Sequence, residues 1–493
     1  MMTNRILHVI CLAMCLVMAS CGGSYDSGNV AEGDIFPDYR DIVIPPGIAP
    51  LNFSVGGADK VTAVFESSDV KLELRSRGDL VRIPPAKWKS LDKPGAEIKV
   101  TVSYEKGGEH SVMEPFTWTV AEEGIDPYIA YRLIDPGYEF WKELGIYQRE
   151  LGSYRQSAII TNRQTGKNCM NCHSFRDRDP ENFLFHMRGA NGATYVILGD
   201  KIEKLNTKTD STISALVYPS WHTSGKYVAF SVNKIEQAFH TNSPDRIEVY
   251  DYASDVVVYD VEGHRILSCP ELKSAGSFET FPTFTPNGKM LVFCSAARKD
   301  IPYEYDKVRY NVCSIGFDAA TGTFGASVDT LFNAEAIGRS ASFPRVSPNG
   351  KFLLFTLSDF GNFSIWHKSS DLWIMDLESG DSWPLDEANS DVVDSYHSWS
   401  SNSSWIVFSS RRIDGLYTRP YFAHIDSDGY SSKAFCLPQK NPGVFYQDLM
   451  KSYNIPEFVS DRVSFPRKKI VKTALREPGT NLAFKTVYND ENE

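Results

Sequence analysis

From residue 218 the chain writes one short pattern four times, and a repeat at that pitch constrains the fold more than composition does. Tyr218-Pro219-Ser220-Trp221, a Thr223-Ser224-Gly225 turn and Tyr227-Val228-Ala229-Phe230 are matched by Phe281-Pro282-Thr283-Phe284, Pro286-Asn287-Gly288 and Met290-Leu291-Val292-Phe293. They are matched again by Phe343-Pro344-Arg345-Val346, Pro348-Asn349-Gly350 and Phe352-Leu353-Leu354-Phe355. Tyr396-His397-Ser398-Trp399 with Trp405-Ile406-Val407-Phe408 is a degenerate fourth copy. A strand, a turn that needs glycine or asparagine geometry and an apolar strand make a hairpin. An outer hairpin follows, as at Leu372-Trp373-Ile374-Met375-Asp376 or Val256-Val257-Val258-Tyr259-Asp260. Trp221, Phe284, Val346 and Trp399 stand 63, 62 and 53 residues apart, the pitch of a large β-propeller blade with loop insertions.

One segment ahead of these repeats implies a specific chemistry. Cys169-Met170-Asn171-Cys172-His173 is a Cys-x-x-Cys-His pattern, whose thiols are spaced to add across the two vinyl groups of one haem while the histidine ligates the iron. Cys169 and Cys172 are therefore expected to hold one covalent haem c, with His173 as proximal ligand. A zinc site would need a second Cys-x-x-Cys or a His-x(3–5)-His pair, and the chain offers neither. A thioredoxin-like pair would open a helix after a strand, whereas polar loop residues flank this one. The sixth iron position has three candidates: His186, its neighbour Met187 on the opposite face of a strand, and His240 in a long loop. His222 fills a turn slot held by Thr or Ser in the sister repeats and reads as structural.

The repeats resemble the TolB-type propeller over roughly residues 180 to 480. The stretches Ser358 to His367 and Asp394 to Trp399, through Arg411, Arg412 and Tyr417-Thr418-Arg419-Pro420, are also similar to exported TolB-like proteins carrying a single cytochrome c motif. The resemblance implies six blades, with Phe183 to Asp210 in another blade and the tail after Arg419 closing the ring; it speaks to architecture and little to activity.

The first residues set the compartment. Arg5 is followed by the apolar run Ile6 to Val17 and then Met18-Ala19-Ser20-Cys21, which resembles a bacterial lipoprotein signal with Cys21 as the lipidated residue. The run is too short to span a bilayer, so the lipid is the expected membrane attachment, in the cell envelope and on an outer membrane facing the periplasm. Losing residues 1–20 removes Arg5 and takes the net charge from −11 to −12, which argues against a nucleic-acid partner. Of nine cysteines, Cys269, Cys294, Cys313 and Cys436 remain once the signal, the lipid and the haem motif are assigned; buried small hydrophobes are the first expectation for them.

The expected class is all-β. Residues 21–35 read as a flexible tether. Residues 36–122 alternate apolar and polar positions, as in Val70-Lys71-Leu72-Glu73-Leu74-Arg75, Ile98-Lys99-Val100-Thr101-Val102 and Phe116-Thr117-Trp118-Thr119-Val120, which predicts an immunoglobulin-like sandwich. Residues 123–180 are dense in aromatics and read as a linker bearing the haem motif, with a short helix over Tyr138 to Leu151. Residues 181–493 are expected to be the propeller.

Two functions follow. The first is electron transfer by a single haem to a protein partner docked on the propeller. The second is a binding or assembly scaffold in which the haem only staples the linker. A propeller-linked serine hydrolase is excluded: it needs a Gly-x-Ser-x-Gly elbow, and the nearest run is Gly338-Arg339-Ser340-Ala341-Ser342.

Overall fold

The computed structural model describes residues 33–136, 142–243 and 245–488. Cys21 and the expected signal segment lie outside the described residues. So do residues 138–141 of the expected helix. Among the described residues no helix is long and apolar enough to cross a membrane.

The N-terminal unit is two small sheets. One has the order Ile35–Phe36, Phe53–Val55, Leu80–Val81; the other runs Ile42–Ile44, Phe116–Val120, Glu97–Lys106, Lys60–Glu66, Lys71–Arg77. Strict alternation in Lys60–Glu66 and Phe116–Val120 sends every second side chain inward. Fully buried Trp118 is the hub: Phe53, Phe65, Trp88 and Phe116 pack around it, and its indole N–H donates to the Tyr39 carbonyl at 2.6 Å.

Among the described residues six further sheets each carry four antiparallel strands, two of them extended by a short parallel strand from the C-terminus, Thr480–Asn481 or Ala483–Thr486. Their innermost strands are Cys169–Phe175, Val217–Trp221, Ser277–Phe284, Ser340–Val346, Asp394–Trp399 and Ser452–Val459. Each touches the next, and the last touches the first, so the sheets close into a propeller-like ring.

Three expectations are corrected. The segment 123–180 is not a linker: Tyr128–Ile134, Gly145–Glu150 and Gln156–Thr161 are the outer strands of a sheet whose inner strand is Ser452–Val459, and Cys169–Phe175 is a strand of the next. The propeller therefore starts well before residue 181. Over Gly145–Glu150 the expected helix is a strand, because that segment lies between two pairing partners, and Gly145 fits closely where a Cβ would come within 2.6 Å of the Ile160 carbonyl. Its partner strand is sealed by Tyr131 against Tyr453, ring centroids 4.6 Å apart.

Candidate functional site

Each inner strand contains the same irregularity. Cys172, Tyr218, Phe281, Phe343, Tyr396 and Ile455 all have positive φ, at 52°, 51°, 50°, 57°, 52° and 49°. In each strand the pairing register breaks around that residue, as between Asn171↔His186 and Ser174↔Leu184, or between Ser342↔Thr356 and Arg345↔Leu354. Such bulges re-aim side chains. A left-handed non-glycine residue costs roughly 1–2 kcal/mol, so six at one position mark a repeated structural device.

The device plugs the channel. Tyr218 meets Phe281 at 4.6 Å, Phe281 meets Phe343 at 5.4 Å, and Phe343 meets Tyr396 at 5.1 Å between ring centroids; Phe363, from a loop of another sheet, packs on Tyr218 and Phe281. Cys172 and Ile455 complete this belt. Burial pushes the Cys172 thiol up, and the thiol in turn bears on Tyr218 and Tyr396.

The residue after each bulge is His173, Pro219, Pro282, Pro344, His397 or Pro456. His397 is 1% exposed, and its Nε2 lies 3.1 Å from the Leu354 carbonyl of the preceding sheet. Burial, with Arg345 adding to it, pushes this imidazole down to about 3. His173 is placed in the same way. It is 3% exposed, faces the carbonyls of Ala130 and Ile455 on its own preceding sheet, and is pushed down to about 4 by burial and then by the charge of Arg132.

A covalent haem would need the two thiols and the imidazole on one common face. Cys169 packs against the apolar core between two sheets, Cys172 sits in the axial belt, and His173 turns toward the preceding sheet. Neither nitrogen of His173 has a partner of full hydrogen-bond geometry, but Nδ1 of His397 is left in the same state in a sheet with no cysteine motif. As packed, the three residues do not fit a haem.

The axial candidates are also dispersed. His186 is buried with Nδ1 3.1 Å from Thr194 Oγ1, and burial, then Arg188, pushes it down to about 3. Met187 points the other way into the core between sheets. His240 sits just past the long strand Tyr227–Phe239, 3.1 Å from the Tyr250 hydroxyl and edge-on to Tyr305. Neither His186, Met187 nor His240 lines the cavity that His173 touches. His222 is held in its turn by Ser224 Oγ at 2.8 Å and the Gly288 carbonyl at 3.0 Å. Cys269, Cys294, Cys313 and Cys436 are buried free thiols.

On the other side of the belt the channel opens into a cavity of about 350 Å³. Its rim is the third position of the repeat: Ser174, Ser220, Thr283, Arg345, Ser398 and Glu457. Its walls include Trp221, Phe284 and Trp399, the two indoles fixed by donation to the Ser174 carbonyl at 3.3 Å and the Arg345 carbonyl at 3.1 Å. Arg345 stacks over the Phe343 ring at 4.1 Å, its Nη1 donates to the Pro344 carbonyl at 2.9 Å, and burial lowers its pKa to about 10. Glu457 accepts from the Phe175 amide at 3.0 Å and is pushed up to about 7 by burial. Sequence reasoning did not single out Arg345 and Glu457. The available signal for Arg345 was a charge at a repeat position filled by Ser or Thr in the sister copies.

No family model matches the chain, and no curated protein matches it. Solved structures do, at low identity. A puromycin-hydrolysing peptidase of Mycobacterium tuberculosis is 12% identical over 81% of this chain and 57% of its own, with a TM-score of 0.34. The chain thus spans 57% of that peptidase's length. The periplasmic gluconolactonase of Pseudomonas aeruginosa is 12% identical over 69% of this chain and 100% of its own, with a TM-score of 0.36. A DUF4784 family protein of Bacteroides caccae is 10% identical over 84% and 98%, with a TM-score of 0.32.

Proposed function

We propose that the chain is a TolB-type propeller of six blades that acts as a binding protein at the mouth of its channel, in preference to an electron carrier. The observation that carries this reading is the recess walled by Trp221, Phe284 and Trp399 and rimmed by Arg345, Glu457 and hydroxyls. Ligand sites are concave and hold a few converging polar groups beside apolar walls, with volumes from roughly 300 Å³ upward. The shared bulge and the closed cycle of inner strands support six blades. The two sheets around Trp118 support an immunoglobulin-like sandwich. The opening residues support export and lipidation at Cys21, and with them a place in the bacterial cell envelope. Under this reading Cys169, Cys172 and His173 are blade residues.

The test is a thermal-shift screen of small metabolites against wild type and Ser398→Trp, which fills the recess. Compounds that raise the wild-type midpoint and lose their effect in the variant are expected; hits indifferent to the substitution would move binding elsewhere. The electron-transfer reading is tested on protein matured with the haem-attachment machinery. After acid-acetone extraction no haem absorption is expected, and haem retained on the chain would return the function to Cys169, Cys172 and His173.

A further inference from the structure

The six equivalent rim positions are chemically unequal. Four are hydroxyl residues, Ser174, Ser220, Thr283 and Ser398, one is Glu457, and one is Arg345. Resting on the channel-mouth reading above, we infer that the cavity takes a small carboxylate-bearing molecule, its carboxylate on Arg345 and its body against Trp221, Phe284 and Trp399.

The guanidinium is presented for this. Stacking on Phe343 at 4.1 Å and the bond to Pro344 fix its plane, which leaves the remaining N–H groups for a ligand. Among the described residues no carboxylate lies within ion-pair distance of it; the opposite charge it feels is Glu457, on the same rim and itself pushed up to about 7 by burial. Arg178 donates through Nε to the Trp399 carbonyl at 3.0 Å and feels Asp126, Glu457 and Asp177. Glu457 is held by the Phe175 amide. His173 and His397 are neutral at pH 7, since burial depresses both. A recessed cation offset only by Glu457, beyond ion-pair distance and pushed up to about 7, is costly, and a planar carboxylate answers it with two parallel hydrogen bonds. The neighbouring hydroxyls of Ser398 and Thr283 suit a ligand that also carries hydroxyl or carbonyl groups.

The experiment pairs each acid with its amide: phenylacetate with phenylacetamide, and gluconate with gluconamide, titrated calorimetrically into wild type, Arg345→Gln and Arg345→Lys. At least one acid is expected to bind, its amide at least tenfold more weakly, and Arg345→Gln to erase the difference while Arg345→Lys keeps part of it. Near-ultraviolet circular dichroism shows whether each variant is folded, and the acid-to-amide ratio on wild type decides the matter even if neither is. Equal binding of acid and amide that is still lost in Ser398→Trp overturns the carboxylate inference and leaves the binding site standing. Binding of no probe at millimolar concentration overturns the inference, and a screen without hits would overturn the site as well.

Discussion

His173 and His397 stand at one position of two different sheets, each directly after the left-handed residue of an inner strand and each turned toward carbonyls of the sheet before it. Ala130 pairs with Glu457 in one sheet as Leu354 pairs with Arg345 in the other, so the two imidazoles meet equivalent backbone. The histidine of the Cys-x-x-Cys-His pattern thus does what a residue without any cysteine motif does elsewhere in the ring.

Proline holds this position in the other four inner strands, so His173→Pro is expected to fold with its stability changed by no more than about 1 kcal/mol. Cys172→Asp, which puts a charge into the aromatic belt, is expected to lose several kcal/mol or not to fold. Urea melts of both variants check this; a collapse of His173→Pro would mean that the imidazole has a role beyond the blade.

Two buried histidines give opposite pH signatures. His367 is 1% exposed, and although burial opposes its charge, Glu248 at 2.9 Å, with Asp245 behind it, raises its pKa. The stabilisation is full below the free imidazole pKa near ~6.5 and is lost as pH rises through the folded value. His367→Gln should therefore lower the melting temperature more at pH 6 than at pH 9. His397 is depressed to about 3, so its unfolded form takes up a proton first and the native state is penalised as pH falls below ~6.5. His397→Pro should flatten the wild-type loss of stability between pH 6.5 and pH 4.

The ring is closed by residues far apart in the chain. Ser452–Val459 pairs with Tyr128–Ile134, and Tyr453 seals against Tyr131. A chain ended after residue 450 would leave that sheet without its inner strand, with an open edge and exposed Tyr131. Loss of cooperative unfolding and aggregation are expected by scanning calorimetry and light scattering.

Arg149 ties the same sheet to its neighbour. It is 2% exposed and donates to the Pro438 carbonyl at 2.7 Å, Gln439 Oε1 at 3.2 Å and the Ser153 carbonyl at 3.0 Å. Arg149→Leu strands these acceptors and is expected to cost about 2–4 kcal/mol in denaturant melts.

Local order was written in the residues. Turn chemistry at Ser224-Gly225, Asn287-Gly288 and Asn349-Gly350, followed by apolar runs, makes hairpins of those segments wherever they are placed, and alternation makes strands of Lys60–Glu66 and Phe116–Val120. Even the bulge had a trace, since Cys172-His173-Ser174-Phe175 runs parallel to Tyr396-His397-Ser398-Trp399. What tertiary structure decided is where the side chains of Cys169 to His173 are packed. A thiol and an imidazole spaced for haem chemistry are also a small apolar side chain and a ring, and here they pack in an axial belt and a gap between sheets, against Tyr218, Tyr396, Ala130 and Ile455. Closure was equally non-local: pairing Ser452–Val459 with Tyr128–Ile134 depends on every intervening sheet being in place, and no short-range pattern encodes a partner that distant. The cavity rim belongs to the same class, because Ser174 and Glu457 become neighbours only when the ring shuts.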